Sequence, residues 1–151
     1  MNSEVIDIKK SDLFNSLEGH LWIGSTPAAQ PGSHAMFTFI VNLYPWEQYP
    51  MSEHQVMLMA PLLDSDQMPN EDVLNMLAEY VNMARRVGPT LVHCQAGRNR
   101  SALICALALV RSGSTPEDAI ALIRSKHDPL ALSNKTFESW LLNLARPRVL
   151  Q

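Results

Sequence analysis

The chain reads as an α/β protein with a mainly parallel central sheet flanked by helices. Short apolar runs rich in β-branched and aromatic residues occupy its first half, and helical patterns fill its second half. Between two of those helical patterns lies a four-residue strand pattern, Thr90-Leu91-Val92-His93. Strands that alternate with helices favour parallel pairing, because the crossover between parallel strands has to cover a face of the sheet.

Taken in order, Leu21-Trp22-Ile23-Gly24 is the first strand, stopped by Gly24. Residues 37–43 (FTFIVNL) form the second and end before Tyr44-Pro45, and residues 55–63 (QVMLMAPLL) form a third run that Pro61 interrupts. These runs read as strands with both faces covered. Asn70 is placed to cap a helix whose first turn holds Glu71 and Asp72. Its apolar positions are Val73, Leu77, Tyr80, Val81 and Ala84, and Gly88-Pro89 ends it. Residues 101–111 are nearly all apolar, so they read as a buried helix that Gly113 terminates. Thr115-Pro116-Glu117-Asp118 combines a capping Thr, a Pro at the first helical position and acids in the first turn. Ile120, Leu122 and Ile123 give that helix its apolar face, and Phe137, Trp140, Leu141 and Leu144 mark a last helix before Pro147.

With 151 residues and no repeat, linker or low-complexity tract, a single domain spanning 1–151 with its core at about 21–144 is the economical reading. A hydrophobic fraction of 46% and a charged fraction of 18% are those of a globular protein, and the net charge of −3 provides no global basic field for nucleic acid. The first ten residues carry Glu4, Asp7, Lys9 and Lys10 and do not read as a signal peptide. The longest apolar run, 102–110, is too short to span a bilayer. Two cysteines do not make a disulfide scaffold, and the five histidines show no ligand spacing. The expectation is a cytoplasmic protein without a metal or cofactor and without a membrane partner.

The informative stretch is His93-Cys94-Gln95-Ala96-Gly97-Arg98-Asn99-Arg100-Ser101. A strand delivers Cys94 to a short loop that opens a helix, and a helix N-terminus offers unpaired N–H groups and the positive end of its dipole to an anion. Gly97 permits the backbone to curl so that successive N–H groups face one point. Arg100 adds a planar fork of donors suited to phosphate oxygens. A cysteine among such donors is favoured as a thiolate, the form that acts as a nucleophile. Considered alone, Cys94 would read as an inert buried thiol, His93 as a core histidine and Ser101 as a helix cap. In this pattern His93 serves to hold the cysteine's geometry, and the Ser101 hydroxyl to stabilise the sulfur when it leaves.

The same nine residues match HCxxGxxRS, the signature of the protein tyrosine phosphatase superfamily, and the short chain resembles the dual-specificity branch. Leu21-Trp22-Ile23-Gly24-Ser25 and Ile40-Val41-Asn42-Leu43 resemble the family's early strands. The stretch from Leu132-Ser133-Asn134 to Trp140-Leu141 is similar to its late motif, in which the asparagine, here Asn134, buttresses the phosphate loop. The likeness covers residues 21–144. It departs at Asn99, where many members carry Ser or Gly, and at Ser133, where many carry Pro. The resemblance implies a cysteine-dependent hydrolase of phosphate monoesters acting through a cysteinyl-phosphate, with Cys94 as nucleophile and Arg100 as phosphate clamp. It also implies an upstream aspartate as general acid. Asp64, directly after the third apolar run, fits that place, and Asp66 is the alternative; either also reads as a solvated loop acid.

The expected partner is a phosphorylated protein, with phosphotyrosine, phosphoserine and phosphothreonine all open, or another phosphate monoester. An RNA 5′-phosphate and a phosphoinositide are alternatives on such a fold, and the first is the one case in which a nucleic acid would be bound. The lack of lysine in the loop speaks against a highly charged inositol phosphate. A phosphate-binding module without turnover and a sulfurtransferase rank lower. Arg98 reads equally as a cation at the pocket rim or a solvated charge. Tyr44, Trp46 and Tyr49 read as a wall of the entrance or as loop packing. Cys105 reads as core, and Arg85-Arg86 as a pair that complements a helix dipole.

Overall fold

The computed structural model describes residues 13–144. The core expected at 21–144 lies within them, whereas Pro147 and residues 1–10 lie outside the described residues. Among the described residues five strands are present: β1 (Phe14–Glu18), β2 (Leu21–Gly24), β3 (Phe39–Asn42), β4 (Val56–Met59) and β5 (Thr90–His93). Four α-helices follow or separate them: α1 (Glu71–Val87), α2 (Arg100–Arg111), α3 (Pro116–Lys126) and α4 (Lys135–Leu142). The sheet order is β1-β2-β5-β3-β4, antiparallel only between β1 and β2 and parallel elsewhere.

Alternation along the strands divides the core between the two faces. Ile23, Val41 and Val92 point to one side, where they join the buried residues of all four helices. Ile40 and Leu91 point to the other, where Phe37 and the half-buried Phe14, Trp22, Tyr49, Met51 and Met57 cover them. Two edge-to-face contacts, Phe14–Phe37 and Trp22–Phe37, pack this second layer. Helix α2 runs through the middle of the first layer with Ser101 to Leu109 all buried, as its continuous apolar sequence requires.

The helix boundaries follow from local chemistry. The Asn70 side chain accepts from the N–H groups of Asp72 and Val73, and Thr115 Oγ1 accepts from Asp118 N with Pro116 at the first helical position. Arg85 does more than complement a dipole. Its guanidinium bonds Asn82, Glu18 and Ser112, tying α1 to β1 and to the end of α2. Two strand expectations need correction. β1 was not foreseen, because only Leu17 of its five residues is buried and its other side chains give no apolar pattern. The third run is an edge strand rather than one covered on both faces: Val56 is 48% and Met59 59% exposed, since β4 pairs only with β3.

The register sets up the site. His93 on β5 lies opposite Gly24 on β2 and opposite Asn42 on β3, so three parallel strands end at one level. In open α/β sheets the crevice beyond the carboxyl ends of the strands is where ligands bind. The residue that enters that crevice from the central strand is Cys94.

Candidate active site

Residues 94–99 turn from the end of β5 into α2. Cys94 is buried, and its Sγ accepts from Gly97 N at 3.2 Å and lies 3.3 Å from Ser101 Oγ. Gly97 adopts φ +72°, and a Cβ there would lie 2.9 Å from the backbone of Gly24. Both the conformation and the close approach require glycine.

The loop's carbonyls are taken up from outside. Thr26 N donates to Gln95 O at 3.1 Å, and Leu132 N donates to Arg98 O at 2.8 Å. A ring nitrogen of His93 bonds Cys94 O at 3.1 Å, and one of His127 bonds Gly97 O at 2.7 Å. In a trans peptide the N–H points opposite to the C=O. With the carbonyls of Cys94, Gln95, Gly97 and Arg98 held by the frame, the N–H groups of Gln95, Ala96, Arg98 and Asn99 turn the other way. None of these four donates to a protein acceptor among the described residues. The result is a set of donors beside a sulfur at the start of a buried helix, an oxyanion cradle.

A buried histidine, His93, and a half-buried one, His127, support this frame, and the sequence showed the purpose of only the first. His93 is fully buried, and burial, aided by the nearby His34, lowers its imidazole to about 4 despite the bond to Cys94 O. The ring is therefore neutral at pH 7. Its Nδ1–H donates to Cys94 O, and Nε2 accepts from Tyr49 Oη at 2.6 Å. Burial likewise raises the Tyr49 phenol, so this pair stays uncharged. Burial also lowers His127. Its Nε2–H donates to Gly97 O, and its Nδ1 lies 2.6 Å from the Asn15 amide on β1.

Tyr49 is thus neither a wall nor surface packing but the partner of His93, 44 residues away. Leu132, the second missed residue, sits in the left-handed region at φ +61° while fully buried. Arg124 bonds the carbonyls of Ala131 and Leu132 and fixes that turn. Holding a leucine there costs ~1–2 kcal/mol, as expected where a framework enforces a functional geometry.

Arg100 opens α2. Its Nη1 donates to Leu62 O at 3.2 Å, its guanidinium carbon lies 5.2 Å from the centroid of the Tyr44 ring, and its Nε is buried without a partner among the described residues. A buried donor left unpaired is costly. Trp46 packs edge-to-face on Tyr44 at 5.0 Å and is 56% exposed, so the pair forms an aromatic wall beside Arg100. Arg98 points outward to Asp128, 3.0 Å from its carboxylate, on the loop's outer surface. Burial pulls the Asp128 carboxyl up, but the Leu130 N–H and Arg98 outweigh it and hold it below its ordinary value.

Of the two candidate acids, Asp64 is joined to the loop. Its Oδ2 accepts from Asn99 Nδ2 at 3.0 Å, and its Oδ1 accepts from Asn134 Nδ2 at 2.7 Å. Asp66 contributes only its backbone carbonyl, to Thr136 Oγ1. Both aspartates are exposed. Asn134 buttresses the loop through its backbone, which donates to Asn99 Oδ1 at 2.9 Å, and its side chain also caps α4 at Phe137 N. Cys105 lies buried in the core of α2, where burial raises its thiol, and both cysteines are free. Among the described residues no group of three or more His, Cys, Asp or Glu is arranged to hold a metal, and no helix is long and apolar enough to cross a membrane.

Known proteins share the fold and the family. Human DUSP28 superimposes with a TM-score of 0.73 at 27% identity over 84% of this chain and 92% of that one. DUSP15 does so at 0.74 and 22% identity, covering 85% of each chain, and Tk-PTP in its active form at 0.71 and 19%, covering 87% and 94%. The last two speak for the fold alone. No curated protein sequence matches the chain. A sequence model of the dual specificity phosphatase catalytic domain matches residues 21–146, most of the chain and the whole of the cradle. The chain therefore belongs to the dual specificity phosphatases, and its cradle is that of a cysteine-based phosphatase.

Proposed function

We propose that the protein hydrolyses phosphate monoesters, phosphotyrosine of proteins foremost, through a cysteinyl-phosphate on Cys94. The observation that carries the reading is a buried Cys94 sulfur that accepts from Gly97 N, in a loop whose N–H groups at Gln95, Ala96, Arg98 and Asn99 have no protein acceptor among the described residues. The N–H groups and Arg100 hold the phosphoryl oxygens as charge develops on them. The Cys94 thiolate attacks phosphorus: the S–P bond forms, the bond from phosphorus to the ester oxygen breaks, and Asp64 protonates the departing oxygen. In the second step the Asp64 carboxylate takes a proton from water as its oxygen bonds phosphorus. The S–P bond then breaks and phosphate leaves. Ser101 Oγ, 3.3 Å from the sulfur, donates to the departing thiolate.

His93 and Asn134 hold this geometry without exchanging protons with substrate. The exposed Trp46 and the Tyr44 ring favour an aromatic ester, because a phenyl ring buries apolar surface against such a wall that a serine or threonine ester lacks. A nucleophilic thiol must stay reduced, which suits the cytoplasm.

The test is Cys94→Ser with radiolabelled phosphotyrosyl peptide. Native protein quenched in acid during turnover should retain label on Cys94. The variant should retain none and show no turnover, yet still bind the peptide. Turnover by Cys94→Ser near the native rate would exclude the covalent path.

A further inference from the structure

Asn99 stands where many family members carry Ser or Gly, and its side chain behaves unusually for its place. It is the N-cap of α2, yet it makes no capping bond to that helix. Asparagine is a strong N-cap because its side-chain oxygen satisfies an orphan helix N–H. Here the amide is turned away, so the first N–H groups of α2 stay free for an anion. Nδ2 donates to Asp64 Oδ2, and Oδ1 accepts from the Asn134 backbone N–H. Asn134 closes the ring by donating from Nδ2 to Asp64 Oδ1 and to Ser65 O at 2.8 Å. Two amides from different parts of the chain thus hold both oxygens of one exposed carboxylate, and one amide is fixed by the other.

We propose that Asn99 is a positioning residue that couples the phosphate cradle to the general acid. Its backbone N–H belongs to the cradle, because Leu132 holds the preceding carbonyl outward. Its side chain belongs to the acid. One residue therefore fixes the distance between the bound phosphoryl group and the carboxyl that protonates the departing oxygen. A loop aspartate with free rotation would spend much of its time out of reach, and misplacement by ~1 Å can cost about 10²-fold in rate. A serine at this position is shorter and offers one oxygen in place of the separate donor and acceptor atoms of the amide. The proposal rests on Asp64 being the acid.

The experiment compares aryl phosphates of high and low phenol pKa with native protein, Asn99→Ala, Asn99→Ser, Asp64→Asn and the double variant Asp64→Asn/Asn99→Ala. The readout is kcat/KM, which reports the transfer to Cys94, with thermal unfolding as a check that each variant folds. Loss of the acid hurts poor leaving groups selectively, because a low-pKa phenol departs as an anion unaided. Asn99→Ala and Asn99→Ser should cost the high-pKa ester at least ~10-fold more than the low-pKa ester, as a fraction of the effect of Asp64→Asn. In the double variant the Asn99 change should add no further selectivity. Equal loss on both esters, or selectivity that persists in the Asp64→Asn background, would overturn the role of Asn99. If Asp64→Asn itself shows no selectivity, it is the acid assignment that fails, and the proposal with it.

Discussion

Acidification is expected to destabilise the protein through His93 well before its carboxylates protonate. The imidazole lies near 6.5 in the unfolded chain and is lowered to about 4 in the fold, chiefly by burial. Between these values the unfolded state holds the extra proton, so stability rises with pH across this window and is lost as pH falls through it. At pH ~5.5 the difference is about 0.9 proton, a slope of roughly 1.2 kcal/mol per pH unit. From pH ~7.5 down to ~5 the loss is about 2 kcal/mol, a sizeable part of the 5–15 kcal/mol typical of a domain. His93 is fully buried, so solvent does not screen this effect. His127, lowered by burial, adds in the same direction. Asp128 and Glu138 are held below their ordinary values, the first by the Leu130 N–H and Arg98 against the upward pull of burial, the second by Arg124. Their contributions are present above those ordinary values and are lost only at lower pH. Urea unfolding at a series of pH values measures the slope, and His93→Asn should remove most of it whatever its stability at neutral pH. An unchanged slope in that variant, or an NMR titration of His93 near 6.5, would refute the reasoning.

Two further outcomes follow from the cradle. Gly97→Ala should lower kcat/KM by at least ~10²-fold and destabilise the fold by ~1–2 kcal/mol, because φ +72° is strained for alanine and its Cβ would meet the Gly24 backbone at 2.9 Å; steady-state kinetics and denaturation check both effects. Arg100→Lys should weaken phosphate binding and turnover together, because an ammonium reproduces neither the planar fork nor the stacking on Tyr44; competition by inorganic phosphate measures the binding loss.

What the sequence disclosed and what it hid divide by distance along the chain. Gly88, Asn70 and Thr115 mark element ends through bonds to near neighbours, so local chemistry placed α1 and the start of α3. The nine-residue signature is contiguous, and a strand followed by a buried helix leaves only a short loop for it to occupy. β1 escaped because a polar edge strand shows no periodicity: its Asn15, Ser16 and Glu18 resemble a loop until Leu17 is seen in the core. Two partnerships that brace the loop escaped for a different reason. Tyr49 reaches His93 across 44 positions and His127 reaches Gly97 across 30, whereas Asn134, which reaches Asp64 across 70, was found only through the family resemblance. No propensity or period encodes such pairs; they exist only once the sheet has brought three strand ends to one level.

Those distant partners explain how the loop keeps its donors facing one point. N–H dipoles that face a common point repel one another, and a free hexapeptide would relax by rotating its peptides and turning carbonyls inward. Here rotation is blocked at four peptides, because turning any of them breaks a bond to His93, Thr26, His127 or Leu132. Each such bond is worth about 1 kcal/mol net, so the loss of any of them opposes relaxation. Part of this restraint comes from β1 and from the turn after α3, which touch no substrate: Asn15 holds His127, and Arg124 holds the strained Leu132. The donors are thus oriented before an anion arrives, and little reorganisation is left to be done in the transition state, the condition under which fixed dipoles accelerate phosphoryl transfer most.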